Sequence, residues 1–191
     1  MKKPASRKIL LASQSPRRKE LLAGLGYEFE TIAVECDEVY PENLEVSEIA
    51  VYLAELKADA FGKPEAGQLL ITADTIVAVD GSVLGKPTDD ADAVKMLITL
   101  SDRNHQVYTG ICVRTDEENI SFTDVANVFF DKISEAEAKY YVENYHPHDK
   151  AGSYGVQDWL GMAKIRKIEG SFYTVMGLPT NKLYNVLSKF E

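Results

Sequence analysis

Cysteine is nearly absent from this chain. Cys36 and Cys112 are the only two in 191 residues. They stand far apart, without the spacing of a metal site, so a disulfide scaffold is excluded and two idle thiols in a reducing compartment are expected. Long apolar runs are also missing, and no stretch is suited to crossing a bilayer. Met1 to Lys8 is basic, but only Ile9 to Ala12 follow as an apolar block. That block is too short for a signal-peptide core, and a cytoplasmic location is expected. Basic residues are outnumbered, 21 against 30 acidic, for a net charge of −9. General binding to nucleic acid or to an acidic membrane is therefore disfavoured. Neither an internal repeat nor a low-complexity linker interrupts the chain.

What remains is an ordinary globular composition, 45% hydrophobic and 27% charged, long enough for one large domain or two lobes. Its most informative stretch is Ile9 to Leu22. Ile9 to Ala12 suits a buried strand. Ser15 is a good N-cap, and Pro16 fits the first helical position, where no N–H is needed. Leu21, Leu22 and Leu25 recur at helical spacing, with Gly24 or Gly26 to end the helix. Arg17, Arg18 and Lys19 fill the first turn, the end of a helix that favours acids. Two readings stand at this point. Together with the hydroxyls of Ser13 and Ser15 the cations make a phosphate site, or they splay into solvent at a cost of about tenths of a kcal/mol each. On an acidic protein, a local basic cluster suggests a small anion more than a polyanion.

Tyr27 to Ile32 alternates as a strand and runs into the acidic loop Glu35 to Glu38, read from the residues as solvated. Ser47 is expected to cap a helix with the stripe Ile49, Leu53, Leu56 and Ala60, closed by Gly62. Lys57 lies off that stripe and reads as a surface lysine. Leu69 to Val79 is the most apolar run, a central strand, followed by the hairpin signal Asp80-Gly81. Asp74 interrupts it. A carboxylate inside such a run must be paired, hydrogen-bonded or metal-bound, and small Ala73 and Thr75 beside it suggest a bulge opening onto a cleft.

Gly85-Lys86-Pro87 resembles a P-loop without being one, because Gly81 is one residue too close and Pro87 stands where Ser or Thr is needed. Lys86 is still a candidate phosphate ligand on a stiff corner. Thr88 is expected to cap a helix with acids in its first turn and Val94, Leu97 and Leu100 as its stripe. Gln106 to Thr115 reads as a strand broken at Thr109-Gly110, and Ile120 to Phe130 as its partner. Ser134 and Glu137 form a capping box for a helix through about Asn144. His146-Pro147-His148 has no third ligand nearby and reads as a solvent loop. Asp149 to Gln157, with two glycines and a lysine, reads as a loop fitted around a polar ligand. Ile168 to Phe172 and Met176 to Pro179 have the same character. Asn181 to Phe190 is the closing helix.

Taken together, Ser13-x-Ser15-Pro16-Arg17-Arg18, Asp37-Glu38, Leu56-Lys57-Ala58, Ala73-Asp74-Thr75, Gly85-Lys86-Pro87, Thr109-Gly110, Asp149 to Gln157, Glu169-Gly170-Ser171 and Gly177-Leu178-Pro179 resemble, in order, the Maf family of nucleoside triphosphate pyrophosphatases. Each motif is weak alone; the ordered set is specific and spans nearly the whole chain. The resemblance implies a single α/β domain over 1–191, shared with the inosine-triphosphate pyrophosphatase group, with two lobes around a long curved mixed sheet and a central cleft. It implies hydrolysis between the α and β phosphates with a divalent metal, Mg2+ or Mn2+. Arg17, Thr75 and Gln157 match the branch that acts on dTTP and UTP, and modified pyrimidine nucleotides fit the same house-cleaning role. Asp158-Trp159-Leu160 departs from the family pattern, where many members have glycine after the glutamine.

By this resemblance Ser13, Ser15, Arg17, Arg18, Lys57, Thr75, Lys86 and Gln157 bind substrate. Asp74 is the catalytic residue, and Asp74 with Glu38 stands on the metal side. An isolated aspartate is a weak base at neutral pH, which favours activation of water through the metal. Gln157 is expected to read the imide edge shared by thymine and uracil. The residues by themselves favour the plainer reading that it only ties down its own loop. The expected partners are small nucleoside triphosphates, with no stable nucleic-acid binding and no membrane; a homodimer is compatible with all of this. The competing reading is a nucleotide-binding regulator of septum formation. A branch preferring methylated GTP is a third, against which Arg17, Thr75 and Gln157 argue.

Overall fold

Residues 7–190 are described by the structure, a computed structural model. Seven strands form one mixed sheet: β1 (Lys8–Ala12), β2 (Phe29–Thr31), β3 (Gln68–Val79), β4 (Ser82–Leu84), β5 (Asn104–Arg114), β6 (Asn119–Phe130) and β7 (Ile165–Glu169). Their order is β2-β1-β3-β5-β6-β7, with β4 paired to β3 alone. β1 is parallel to β2 and to β3, whereas β4 is antiparallel to β3 and β7 to β6. Among the described residues the α-helices are α1 (Pro16–Gly24), α2 (Val46–Phe61), α3 (Asp90–Leu100), α4 (Glu135–Tyr145), α5 (Trp159–Lys164), α6 (Phe172–Met176) and α7 (Thr180–Leu187).

The chain divides into two compact units. The first holds the chain up to Asp74, Thr109–Asp124 and the stretch from Gly177. Its core joins Leu10 and Ala12 of β1, Leu70 of β3, Ala54 and Ala58 of α2, and Cys112 of β5. The second unit holds Thr75–Tyr108 and Val125–Met176. Val77, Leu97, Leu100, Val128, Phe130, Tyr141 and Leu160 are part of its core.

Local signals set several elements as expected. Asp80 and Gly81 both have positive φ, 50° and 78°, and close a two-residue hairpin that pairs Val79 with Ser82. The Ser134–Glu137 capping box is formed in both directions. Other expectations change. α2 buries Ile49, Ala50, Leu53, Ala54 and Ala58, so its inward stripe is rotated from the expected one and Ala60 is exposed. Asp89, not Thr88, caps α3, accepting from the Asp92 N–H. β5 runs unbroken through Thr109-Gly110, and β3 is continuous through Asp74. Ile165–Glu169, read in part as a ligand loop, is the strand β7 on β6. The first six residues, including most of the basic segment before Ile9, lie outside the described residues.

Candidate active site

In the first unit, charged side chains from α1, α2, β3 and the Glu35–Glu38 loop come together. α2 is held on the sheet at two points. The Thr72 hydroxyl of β3 donates to the Ala54 carbonyl at 2.6 Å. Gly110 of β5 lies so close that a Cβ there would stand 2.2 Å from the Ala50 carbonyl carbon and the Val51 nitrogen of α2. Only glycine permits that approach, which gives Thr109-Gly110 a packing role. The rotated stripe brings Lys57 to the edge of the buried face of α2, its side chain 13% exposed. It is not the surface lysine that its spacing suggested.

Lys57 Nζ donates to Asp74 Oδ1 at 2.5 Å and lies 3.0 Å from Glu38 Oε1. The Asp74 side chain is 12% exposed and that of Glu38 46%. One ammonium thus joins a carboxylate of the central strand to a carboxylate of the acidic loop. This is the pairing that a charge inside an apolar strand requires. The Glu35–Glu38 loop is therefore not merely solvated. Cys36 lies in the same field. Burial pushes its thiol pKa up, with Lys57 opposing and Glu38 adding, so it is not a poised nucleophile.

α1 begins with Pro16 and has no acid in its first turn. Ser15 occupies the N-cap, but its side chain makes no capping bond, and the Ser15 N–H donates to Ser13 Oγ at 3.2 Å. Arg18 is more constrained than a pure phosphate ligand. Its Nε donates to the Gly177 carbonyl at 2.8 Å, and Nη1 donates to the Ala73 carbonyl at 3.0 Å and to Ser13 Oγ at 3.4 Å. Arg18 therefore fixes the backbone next to Asp74. The Gly177-Leu178-Pro179 motif supplies it with an acceptor, and was not read that way from the residues. Burial pulls the Arg18 pKa down, Asp74 pulls it back up, and Arg17 lowers it. A guanidinium stays protonated under such shifts.

The second unit carries Thr75, Lys86 and Gln157. Lys86 and Gln157 are exposed and Thr75 is half-buried. The stretches bearing Lys86 and Gln157 are tied together, because the Gly152 N–H donates to the Gly85 carbonyl at 3.0 Å. Beside that tie, the Tyr154 hydroxyl meets His105 Nε2 at 2.6 Å, and both rings pack on Phe130. Burial lowers the His105 pKa to about 4. Neither His105 nor Tyr141 stands out in the sequence. Both look like core residues of a strand and a helix, and only their hydroxyl and ring partners reveal a role.

Asp74 and Glu38 are the two carboxylates that meet at the Lys57 ammonium. Among the described residues no group of three or more His, Cys, Asp and Glu side chains is arranged to hold a metal. Two carboxylates completed by substrate phosphates and water nevertheless suit an ion of the magnesium type, so the donor chemistry fits. His146 and His148 do not build a centre; His148 Nε2 pairs with Asp90 Oδ1 at 3.0 Å.

The fold is that of a mixed α/β protein similar to a HAM1 protein from Coxiella burnetii, with a TM-score of 0.52 at 17% identity, covering 96% of this chain and 99% of that one. A family model described as Maf-like protein matches residues 8–190, and the chain belongs to that family. Among its relatives, a dTTP/UTP pyrophosphatase of Bacteroides thetaiotaomicron is 52% identical over 183 residues, with 95% of each chain covered. One of Porphyromonas gingivalis, with the same name, is 51% identical over 187 residues, covering 96% of this chain and 94% of the relative. A third, from Parabacteroides distasonis, is 47% identical over 185 residues, with 96% of each covered. No helix among the described residues is long and apolar enough to cross a membrane.

Proposed function

We propose that this protein hydrolyses dTTP and UTP, and modified pyrimidine nucleotides of the same edge chemistry, to the monophosphate and pyrophosphate. The observation that carries the reading is the Lys57 ammonium set between Asp74 and Glu38 at 2.5 and 3.0 Å, in the unit that also holds the basic start of α1. The names of relatives about half identical over nearly the full length support the substrate class.

In this reading Ser13, Ser15, Arg17, Lys57 and Lys86 bind the triphosphate, with Arg18 contributing both charge and backbone support. Asp74 orients the attacking water and takes its proton as the water oxygen bonds to the α phosphorus, while the bond between the α and β phosphates breaks and pyrophosphate leaves. Lys57 keeps Asp74 aimed, and the cations strengthen their contacts as charge grows on the leaving group. A divalent cation, Mg2+ or Mn2+, would be held by Asp74 and Glu38 and would supply a more acidic water and a polarised phosphoryl group. Gln157 reads the imide edge of thymine and uracil, offering a donor and an acceptor together, and Thr75 and Arg17 are the other two residues of the base-selecting set. Cytosine presents an amine and a bare ring nitrogen instead, which leaves donor facing donor. The expected setting is the cytoplasmic nucleotide pool.

The test is pyrophosphate release from a nucleotide panel with magnesium and with manganese. Turnover of dTTP and UTP well above CTP and dCTP is expected. Equal specificity constants for UTP and CTP would remove the base reading. Nucleotide binding without pyrophosphate release would return the regulator reading.

A further inference from the structure

The departure at Asp158 has a use in the second unit. Asp158 stands at the N-cap of α5, yet its carboxylate makes no capping bond. An aspartate there ordinarily accepts from an N–H two or three residues on. Here the carboxylate turns the other way. The Tyr141 hydroxyl donates to Asp158 Oδ2 at 2.7 Å, and the same hydroxyl accepts the Gly155 N–H at 3.0 Å. The Asp158 N–H donates to the Gly155 carbonyl at 3.1 Å. Gly155 to Asp158 is therefore a four-residue turn closed twice, once by backbone and once through a tyrosine hydroxyl. A Cβ on Gly155 would stand 2.4 Å from Asp158 Oδ2, so the carboxylate lies directly against the first residue of the turn. Lys150 Nζ, 3.9 Å away, balances its charge.

Both ends of the turn are fixed to something that does not move easily. Tyr141 is fully buried on α4, and Val156, inside the turn, is 5% exposed. Tyr154, just before it, is held by His105. The remaining residue is Gln157, which is exposed and so presents its amide outward from a rigid turn. Recognition by a side chain demands placement within about 0.5 Å, which comes from the groups that hold its backbone.

We infer that Asp158, acting through the Tyr141 hydroxyl, is a positioning residue for Gln157 and sets how sharply uracil and thymine are separated from cytosine. The inference rests on the reading of Gln157 as the base-reading group. Loosening the turn should blur base selection and leave phosphate chemistry alone, since neither residue belongs to the charged cluster of the first unit.

The test compares kcat and KM for UTP and CTP in Tyr141→Phe, Asp158→Ala, Asp158→Asn and Gln157→Glu. Tyr141→Phe and Asp158→Ala should lower the UTP-to-CTP ratio of kcat/KM about tenfold, the effect of one misaligned hydrogen bond, through KM, with kcat for UTP within about threefold of wild type. Asp158→Asn keeps an acceptor for the tyrosine and should retain most of the ratio. If Tyr141→Phe fails to fold, the half-buried Asp158 variants carry the test. An unchanged ratio in Asp158→Ala, while Gln157→Glu loses it, would overturn the inference and leave the base reading intact. An unchanged ratio in Gln157→Glu would overturn the base reading and this inference with it. A uniform loss of kcat on both nucleotides would show Asp158 to be merely structural and would also overturn it.

Discussion

The two units prepare their functional groups in opposite ways. In the first, charges hold charges: Lys57 is already bonded to Asp74 and Glu38, and Arg18 already grips the Ala73 and Gly177 carbonyls. In the second, Lys86 and Gln157 are exposed, and order comes from the backbone beneath them, through Gly152 on Gly85 and Tyr141 on Gly155. Chemistry needs partly desolvated charge, which must be paired to be tolerable. Discrimination needs an exposed edge whose position does not drift. Stability and function should therefore be entangled in the first unit and separable in the second.

Gly110→Ala should be the most damaging change to the first unit. Its Cβ would meet the α2 backbone at 2.2 Å, so the helix bearing Lys57 must move. A loss on the order of 3 kcal/mol or more is expected, with turnover falling alongside. Urea denaturation with activity measured in parallel checks it. A stable, fully active Gly110→Ala protein would break the link between α2 seating and the charged cluster.

The second unit should show its own pH dependence. His105 is buried and neutral, with a pKa of about 4 against an ordinary value of 6.5. The unfolded chain therefore binds a proton between those values that the folded chain refuses. Stability from this group is complete above pH 6.5 and is lost as pH falls toward 4, by about 3 kcal/mol in all. Denaturation midpoints between pH 7.5 and 4 should fall for the wild type and fall less for His105→Gln.

Arg18→Ala and Lys86→Ala make the sharper contrast. Each should weaken binding of a non-hydrolysable triphosphate by about 1.5–3 kcal/mol if each contributes one charge-assisted contact. Arg18→Ala should also lower stability by about 2 kcal/mol, because it leaves two backbone carbonyls short of a donor. Lys86→Ala should leave the melting temperature unchanged. Equal effects on stability would erase the distinction between the units.

The same distinction explains which features are legible in the sequence. β1, the proline-started α1, the Asp80-Gly81 hairpin and the Ser134–Glu137 capping box depend on neighbours in sequence, and all were legible. Lys57 was not, because its burial is set by Thr72 on Ala54 and by the absence of a side chain at Gly110. Those contacts rotate α2 away from its most apolar stripe. α5 is six residues long and β7 five, too short for a periodic signal, and β7 exists because β6 pairs with it. Asp74 stood out because a lone carboxylate in an apolar run needs a partner. Which partner it takes, Lys57, had to come from the fold.

The most direct test of the charged cluster is Asp74→Asn, measured for pyrophosphate release from UTP and for binding of a non-hydrolysable UTP analogue by calorimetry. The substitution keeps size and hydrogen bonding but removes the carboxylate that the proposed function assigns as the proton acceptor. Turnover reduced by at least about a thousandfold, with the fold intact and binding still measurable, is the expected result. Near-normal turnover in Asp74→Asn would contradict it and move the chemistry elsewhere.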